Sequence, residues 1–146
     1  MSLYQKQFTI KERDFIHAGD ASVQVKNILK GVGADPDLIR RVAIASYEAE
    51  MNAVIYAHYG QMSVELHEDC VRITVEDQGP GIPDVTLAMQ DGYSTATPEI
   101  REMGFGAGMG LPNIKKNSDE FLISSQVGHG TKLEMVFNTG WRSQRT

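Results

Sequence analysis

Apolar and polar side chains alternate in five short segments, a pattern typical of strands with one buried and one exposed face. The alternating apolar positions are Tyr4, Phe8 and Ile10; Met62, Val64 and Leu66; Val71, Ile73 and Val75; Phe121 and Ile123; and Leu133, Met135 and Phe137. Glu68 and Asp69 separate the second segment from the third and predict a turn between antiparallel strands.

Two other segments have helical periodicity. Over residues 20–32 the apolar side chains fall at spacings of three and four, which places them on one stripe of a helix. Asp35 and Pro36 then have the sequence of a helix cap followed by a first-turn proline. We expect a longer helix from Pro36 to about Tyr59, where Gly60 would end it.

The order of these elements predicts an α+β fold: a two-layer sandwich in which helices cover one face of a mixed, mostly antiparallel sheet. Two helices precede a hairpin, and a glycine-rich loop, a helix and two strands follow. We expect residues 1–140 to form a single domain and residues 141–146 to form a C-terminal tail.

Composition excludes several classes of function. The chain of 146 residues has a net charge of −5 and a pI near 5.3, and it lacks the basic stripe of a nucleic-acid-binding protein. The single cysteine, Cys70, cannot form an internal disulfide, which favours a reducing compartment. No segment has the roughly 20 apolar residues of a membrane helix. We therefore expect a cytoplasmic protein with neither nucleic acid nor membrane as partner.

Glu48 and Asn52 lie four residues apart in the second helix and therefore share a face beside small apolar residues. The pair is typical of a metal and water site, in which an amide oxygen binds Mg²⁺ and a carboxylate accepts a proton. An ordinary solvated pair would have the same spacing. Glu50 lies off this face, and we expect it to be solvated.

Asp77 and Thr131 continue the inward-facing positions of their strands. A carboxylate on a covered face needs donors, and an adenine amino group is one. Gly79 and Gly81 would let the backbone turn and approach a flat ring, although an ordinary turn has the same sequence. The Thr131 hydroxyl would join Asp77 at the edge of the base.

A ladder of alternating glycines runs through residues 104–110 and precedes a short helix. Exposed backbone N–H groups and a helix N-terminus together form a cradle for phosphate. A flexible surface loop is the alternative. We expect Lys115 and Lys116 in the first turn of the helix. The polar segment before the ladder, residues 91–101, has the character of a lid, and its Arg101 is the residue able to reach a γ-phosphate.

These motifs, followed by Gly130-Thr131, resemble in their order the N box and the three glycine boxes of the GHKL ATPase and kinase superfamily, whose ATP-binding domain has the Bergerat fold. In size, and in the sequences at 77–84, 91–95 and 106–112, the chain is similar to the small bacterial switch-protein serine kinases, and the sequence at 99–102 is more similar to the lid of the anti-sigma-factor kinases. The resemblance covers nearly the whole chain.

This resemblance implies ATP and Mg²⁺ as cofactors, with Asn52 holding the metal and Glu48 acting as catalytic base. Asp77 and Thr131 would bind adenine. The further nucleotide contacts it implies are Gly79, Gly81, Ile82, Arg101, Gly106, Ala107, Gly108, Met109, Gly110 and Leu111.

The implied substrate is a serine or threonine of a STAS-domain antagonist protein. A sigma factor, a phosphatase and a second copy of the chain are further candidate partners. The alternative is a non-catalytic module that binds ATP and sequesters a sigma factor or activates a phosphatase. Retention of both Glu48 and Asn52 favours the kinase.

Overall fold

The computed structural model describes residues 3–11, 14, 16–56, 59–82, 84–90 and 110–141. These ranges contain five strands and four helices. The strands are β1 (Tyr4–Lys11), β2 (Tyr59–Leu66), β3 (Cys70–Asp77), β4 (Glu120–Gln126) and β5 (Gly130–Asn138). The helices are α1 (Asp20–Gly31), α2 (Pro36–Tyr56), α3 (Val85–Ala88) and α4 (Gly110–Asn117).

The strands form one sheet in the order β1-β2-β3-β5-β4. All four pairings between the described strands are antiparallel. The β4–β5 hairpin lies outside β3, so that β5 rather than β4 pairs with β3 and the ends of β3 and β5 meet at Asp77 and Thr131. The predicted α+β sandwich with a mostly antiparallel sheet is confirmed.

The core lies between one face of this sheet and the helices. In β3, Val71, Ile73 and Val75 are buried whereas the side chains between them are not, as the alternation predicts. Helices α1, α2 and α4 supply the other side of the same apolar cluster. The opposite face of the sheet carries the polar positions of each strand, so the structure has two layers.

Two helix ends differ from the predicted ones. Helix α1 ends at Gly31, with Val32 as its C-terminal cap. Helix α2 ends at Tyr56, and Tyr59 already pairs with Lys11 as the first residue of β2. Gly60 therefore lies inside a strand, where a Cβ would be 3.2 Å from the Cβ of Ala53. The glycine permits close packing of α2 on the sheet rather than ending the helix.

Glu50 is buried, so its predicted solvation is wrong. Only 3% of its surface is exposed. Its carboxylate accepts hydrogen bonds from the backbone N–H groups of Gly19, Ala21 and Ser22 at 3.0, 3.3 and 2.9 Å. These donors lie at the N-terminus of α1, where a negative charge is favourable. Glu50 thus joins α1 to α2.

The C-terminal end of the described chain packs against the core through the partly buried Trp141. Within the described ranges, no helix has the length and apolar character needed to cross a bilayer.

Candidate functional site

The end of β3 presents a half-buried carboxylate on the helix-covered face. Asp77 Oδ1 accepts hydrogen bonds from the backbone N–H of Gly79 at 2.9 Å and of Thr131 at 3.2 Å. Burial raises the pKa of Asp77, and these two hydrogen bonds oppose the rise. Oδ2 receives no hydrogen bond from the described residues. The second oxygen is therefore available to a donor such as an adenine amino group.

Ser125 connects this carboxylate to the loop after β3. Its hydroxyl lies 2.9 Å from Thr131 Oγ1 and accepts a hydrogen bond from the Ile82 N–H at 2.7 Å. Ser125 and Thr131 are directly opposite in the β4–β5 pair. Ser125 is not among the predicted site residues, although it has the inward parity of Phe121 and Ile123.

Two glycines allow the backbone segments at this edge to approach closely. Gly81 has a φ of +81°, and a Cβ there would lie 2.5 Å from the backbone oxygen of Gln126. Gly130 has a φ of +132°, and a Cβ there would collide with the carbonyl oxygen of Asp77. Any larger residue at either position would displace the loop or the end of β3.

Glu48 and Asn52 are on the same side of α2 and face the N-terminus of α4. A Cβ on Gly110 would lie 3.2 Å from Glu48 Oε2 and 3.3 Å from Asn52 Oδ1. Gly110 is the first residue of α4, where backbone N–H groups point outward. The predicted pair is therefore adjacent to the helix end that follows the glycine ladder.

Asn113, which is not among the predicted site residues, contributes a side-chain hydrogen bond that lowers the pKa of the Glu48 carboxyl. Burial raises the pKa of Glu48, and this bond offsets part of the rise. Asn113 lies three residues after Gly110, on the side of α4 that faces α2. Its position follows from the packing of two helices and has no signature in sequence.

Helix α4 is held on α2 at both ends. Leu111 and Ile114 are buried in the core. The Arg41 guanidinium donates to the carbonyl oxygen of Asn117 at 3.4 Å. Lys115 and Lys116 lie in the last turn and are exposed, so their prediction in the first turn is wrong. They follow Gly110, the first residue of the helix, by five and six positions, which is more than one helical turn.

The Asp77 region of the site and the Glu48–Asn52 region are connected through the sheet. Gly60 pairs with Asp77 across β2 and β3, and Gly60 packs on Ala53, the residue after Asn52. Thus the end of β3 lies beneath the C-terminal half of α2. A groove of about 450 Å³ at this sheet edge is lined by Asp77, Ser125 and Thr131 and also by side chains of the open sheet face such as Glu76 and Lys132. Neither Glu48 nor Asn52 lines it.

Several predicted contacts lie outside the described residues: Arg101, Gly106, Ala107, Gly108 and Met109, together with residues 91–100 of the predicted lid. Of the predicted phosphate cradle, the structure describes Gly110 and Leu111. Gly110 faces Glu48 and Asn52, and the side chain of Leu111 is buried in the core.

Comparison with known proteins identifies the family. Residues 37–140 match the family described as histidine kinase-, DNA gyrase B- and HSP90-like ATPases. The chain belongs to this family. Membership implies that it binds ATP, and it confirms the predicted superfamily.

The curated relatives include a protein kinase and anti-sigma factors. The serine/threonine-protein kinase RsbT of Bacillus subtilis is 36% identical over 115 residues, which cover 76% of this chain and 80% of RsbT. The anti-sigma F factor of Bacillus licheniformis is 30% identical over 122 residues, or 80% of each chain. That of Pasteuria penetrans is 39% identical over 97 residues, or 61% of each chain.

A solved structure supports the fold. The crystal structure of the RsbU and RsbW domains of Rv1364c from Mycobacterium tuberculosis superposes with a TM-score of 0.60 at 19% identity. The match covers 90% of this chain and 32% of that longer chain.

The described residues fit ATP with Mg²⁺. Asp77 has an inward oxygen without a donor from the described chain, and Gly110 leaves room where α4 meets Glu48 and Asn52. In the described part of the chain, no group of three or more His, Cys, Asp or Glu residues could hold a metal. A hard cation here would therefore depend on the Asn52 amide oxygen together with phosphate oxygens and water, a ligand set that suits Mg²⁺.

Proposed function

We propose that this protein is a Mg²⁺- and ATP-dependent serine/threonine protein kinase and that its substrate is a STAS-domain antagonist protein in a bacterial partner-switching pathway. RsbT and the anti-sigma F factors, which match most of the chain, support the kinase class and this kind of pathway. A sigma factor or a phosphatase is a further proposed partner. A second copy of the chain, which would form a homodimer, is another.

The observation that carries the proposal is the position of Glu48. Its carboxylate is partly buried, its pKa is raised by that burial, and it lies beside the N-terminus of α4. A raised pKa makes the ionised carboxylate a stronger proton acceptor. A domain that used ATP only as a structural ligand would not need a basic carboxylate at the phosphate end of its site.

Each described residue then has a role. Asp77 accepts a hydrogen bond from the adenine amino group through Oδ2, and Thr131 supports Asp77 from the neighbouring strand. Asn52 would hold Mg²⁺, which would neutralise phosphate charge, and the N–H groups at the start of α4 would bind phosphate oxygen. Glu48 would accept the proton of the serine or threonine hydroxyl as its oxygen bonds to the γ-phosphorus of ATP, and the bond from that phosphorus to the β–γ bridging oxygen would break, with ADP as the leaving group.

The competing function is a non-catalytic ATP-binding module that sequesters a sigma factor or activates a phosphatase. The anti-sigma F factors among the relatives favour a sigma factor as a binding partner. Such binding is compatible with kinase activity and does not replace it. The two functions differ in one measurable respect, which is whether phosphate leaves ATP for a protein hydroxyl.

The test is phosphotransfer from γ-labelled Mg-ATP to purified STAS-domain proteins from the same genome. The expected product is one labelled STAS protein whose phosphate survives acid and is released by alkali, as for a serine or threonine ester. An acid-labile product would instead indicate histidine phosphorylation. Intact ATP binding with no STAS protein labelled would favour the non-catalytic module.

Glu48→Gln separates chemistry from binding. The variant should keep Mg-ATP affinity and lose about 10²–10⁴-fold in transfer rate. Glu120→Gln is the matched control, because Glu120 is exposed on β4 and away from the site. Wild-type transfer by Glu48→Gln would refute the role of this carboxylate.

A further inference from the structure

The Ser125 hydroxyl has three hydrogen-bond partners at the edge of the sheet where β3 ends and β5 begins. It accepts from the backbone N–H of Ile82 at 2.7 Å and donates to the carbonyl oxygen of Gly130 at 3.3 Å. The third partner is Thr131 Oγ1 at 2.9 Å. A hydroxyl has one proton to donate and two lone pairs that accept. Because the Ser125 proton goes to the carbonyl oxygen, Thr131 is the donor in the third bond.

The direction of that bond decides what Thr131 can offer to a ligand. Its hydroxyl proton points to Ser125, so the lone pairs of Oγ1 remain available as acceptors. Asp77 is directly opposite Thr131 in the β3–β5 pair, and its Oδ2 receives no hydrogen bond from the described residues. This end of the sheet therefore presents two acceptors, one from each strand.

The backbone around Ser125 holds its hydroxyl in this orientation. The loop after β3 is joined to the β4–β5 turn by a further bond, from the Gly128 N–H to the carbonyl oxygen of Pro80 at 2.9 Å. The same loop directs the Ile82 N–H at Ser125. The Ser125 proton cannot turn toward Thr131 without losing its carbonyl partner, and a lost hydrogen bond is costly at a half-buried position.

Two adjacent acceptors match the amino group of a purine base. The amino group of adenine carries two N–H donors, whereas guanine has at the same ring position a carbonyl oxygen, which can only accept. Asp77, Ser125 and Thr131 are all half-buried and border a groove of about 450 Å³, so a ligand can reach them. A 6-oxo base in this place would set a third acceptor against the other two and leave them unpaired.

We infer that Ser125 is a specificity-determining residue for the nucleotide: by accepting a hydrogen bond from Thr131 it makes that hydroxyl a second acceptor beside Asp77, so that the site selects a 6-amino purine and rejects a 6-oxo purine. This inference rests on the part of the proposed function that places adenine at Asp77 and Thr131. It concerns binding alone and does not depend on phosphoryl transfer. Without Ser125, the Thr131 hydroxyl would be free to turn, donate its proton and accept a 6-oxo base as partner.

The experiment measures the dissociation constants of Mg-ATP and of Mg-ITP, the 6-oxo analogue inosine triphosphate, by titration calorimetry. Wild type should bind ATP at least about tenfold more tightly than ITP. Ser125→Ala should bind ATP about threefold to tenfold more weakly, the value of a neutral hydrogen bond, and ITP at least as tightly as wild type does. Ser125→Thr keeps a hydroxyl at this position, so it should retain the wild-type ratio of the two constants within about twofold.

Three further variants make the measurement specific. Ser63→Ala is the matched control, because Ser63 is a half-buried strand serine on the polar face of β2, and it should leave both constants unchanged. In a Thr131→Val background, Ser125→Ala should not alter the ratio further, because Ser125 acts through the Thr131 hydroxyl. Ser125→Cys, whose thiol is a weak hydrogen-bonding group, takes the place of Ser125→Ala if the alanine variant does not fold.

The outcomes separate this inference from the proposed function. A parallel loss of affinity for ATP and ITP in Ser125→Ala would mean that the serine only supports the local fold. That result, an unchanged ratio, or a change of ratio that persists in the Thr131→Val background would each overturn the inference. In those cases Asp77→Asn would still lose ATP affinity if adenine binds as proposed. If Asp77→Asn binds ATP as tightly as wild type, the proposed adenine site fails and the inference fails with it.

Discussion

Asp77 Oδ1 accepts a hydrogen bond from the backbone N–H of Thr131 at 3.2 Å, at the point where the end of β3 meets the start of β5. The carboxylate is thus held by the sheet itself. The Gly79 N–H bonds to the same oxygen, so Oδ2 has no hydrogen bond from the described residues. A rigidly held acceptor on the covered face is suited to recognition of a flat base.

Asp77→Asn should reduce ATP affinity by at least tenfold. The asparagine can still accept the Gly79 and Thr131 N–H groups through its oxygen, so the sheet should remain intact. Its NH₂ group would then occupy the position of Oδ2 and face the adenine amino group, donor against donor. Loss of a charged hydrogen bond costs roughly 1.5–3 kcal/mol. Titration calorimetry measures the affinity directly.

Asp20→Asn provides the control for that substitution. Asp20 is exposed in the first turn of α1, and its change should leave ATP affinity unaltered. If a folded Asp77→Asn protein binds ATP as tightly as wild type, adenine is not recognised by this carboxylate.

Gly110→Ala should lower phosphotransfer by about tenfold. The new methyl group would lie 3.2 Å from Glu48 Oε2 and 3.3 Å from Asn52 Oδ1, so both side chains must shift by a few tenths of an ångström. Small displacements of a base and a metal ligand reduce rate steeply. A steady-state assay of transfer measures the effect.

Gly31→Ala is the matched change for Gly110→Ala. Gly31 is also helical, and nothing lies within 4 Å of the position its Cβ would take. Activity of Gly31→Ala should therefore equal that of wild type. Full activity of Gly110→Ala would show that the space at the α4 N-terminus is not needed.

The fold follows from sequence wherever one side of an element is buried. Alternation in β3 and β5 predicts which side chains face inward, and this parity also places Asp77 and Thr131 correctly. The end of α2 could not be predicted in the same way. Gly60 is a helix breaker in isolation, but here it fills a tight contact between Ala53 and the sheet, which depends on tertiary packing.

The site was predicted from sequence only in part. Glu48 and Asn52 can be paired from sequence because both lie on one helix. Asn113 and Ser125 contact residues of other elements, so local spacing does not identify them. Glu50 was misplaced for a related reason. Its partners lie about thirty residues earlier, at the α1 N-terminus, so the helical periodicity of α2 gives no sign of them.

Glu50→Ala should destabilise the protein strongly. Three backbone N–H groups, including those of Gly19 and Ser22, would lose a buried charged acceptor. We expect a loss of about 2–4 kcal/mol in the free energy of unfolding, since unsatisfied buried donors cost about 1–3 kcal/mol each and some will be rehydrated. Urea denaturation measures this loss. Glu120→Ala, at an exposed position, should change the free energy of unfolding by less than about 0.5 kcal/mol. A similarly small change for Glu50→Ala would mean that α1 does not depend on the Glu50 carboxylate as a cap.

Glu48 should make stability depend on pH in a direction opposite to that of a salt-bridged carboxylate. Burial raises its pKa in the folded protein above the unfolded value of about 4.3. Folding is therefore favoured by protonation of this group. Its contribution is fully present below the unfolded pKa and is lost as pH rises through the folded pKa. Glu48→Gln removes the charge and can retain the bond from Asn113. Its stability should therefore not fall in this way as pH rises.

The midpoint of thermal unfolding should accordingly be higher for Glu48→Gln than for wild type at neutral pH. The difference should shrink as pH falls below about 4.3, where wild-type Glu48 becomes protonated in the unfolded as well as the folded state. Scanning calorimetry of both proteins from about pH 3 to 8, with Glu120→Gln as the reference for an exposed glutamate, measures the trend. A pH-independent difference, or a wild type more stable than Glu48→Gln at neutral pH, would mean that the ionised Glu48 carries no burial cost. Proton acceptance at this position would then lack its physical basis.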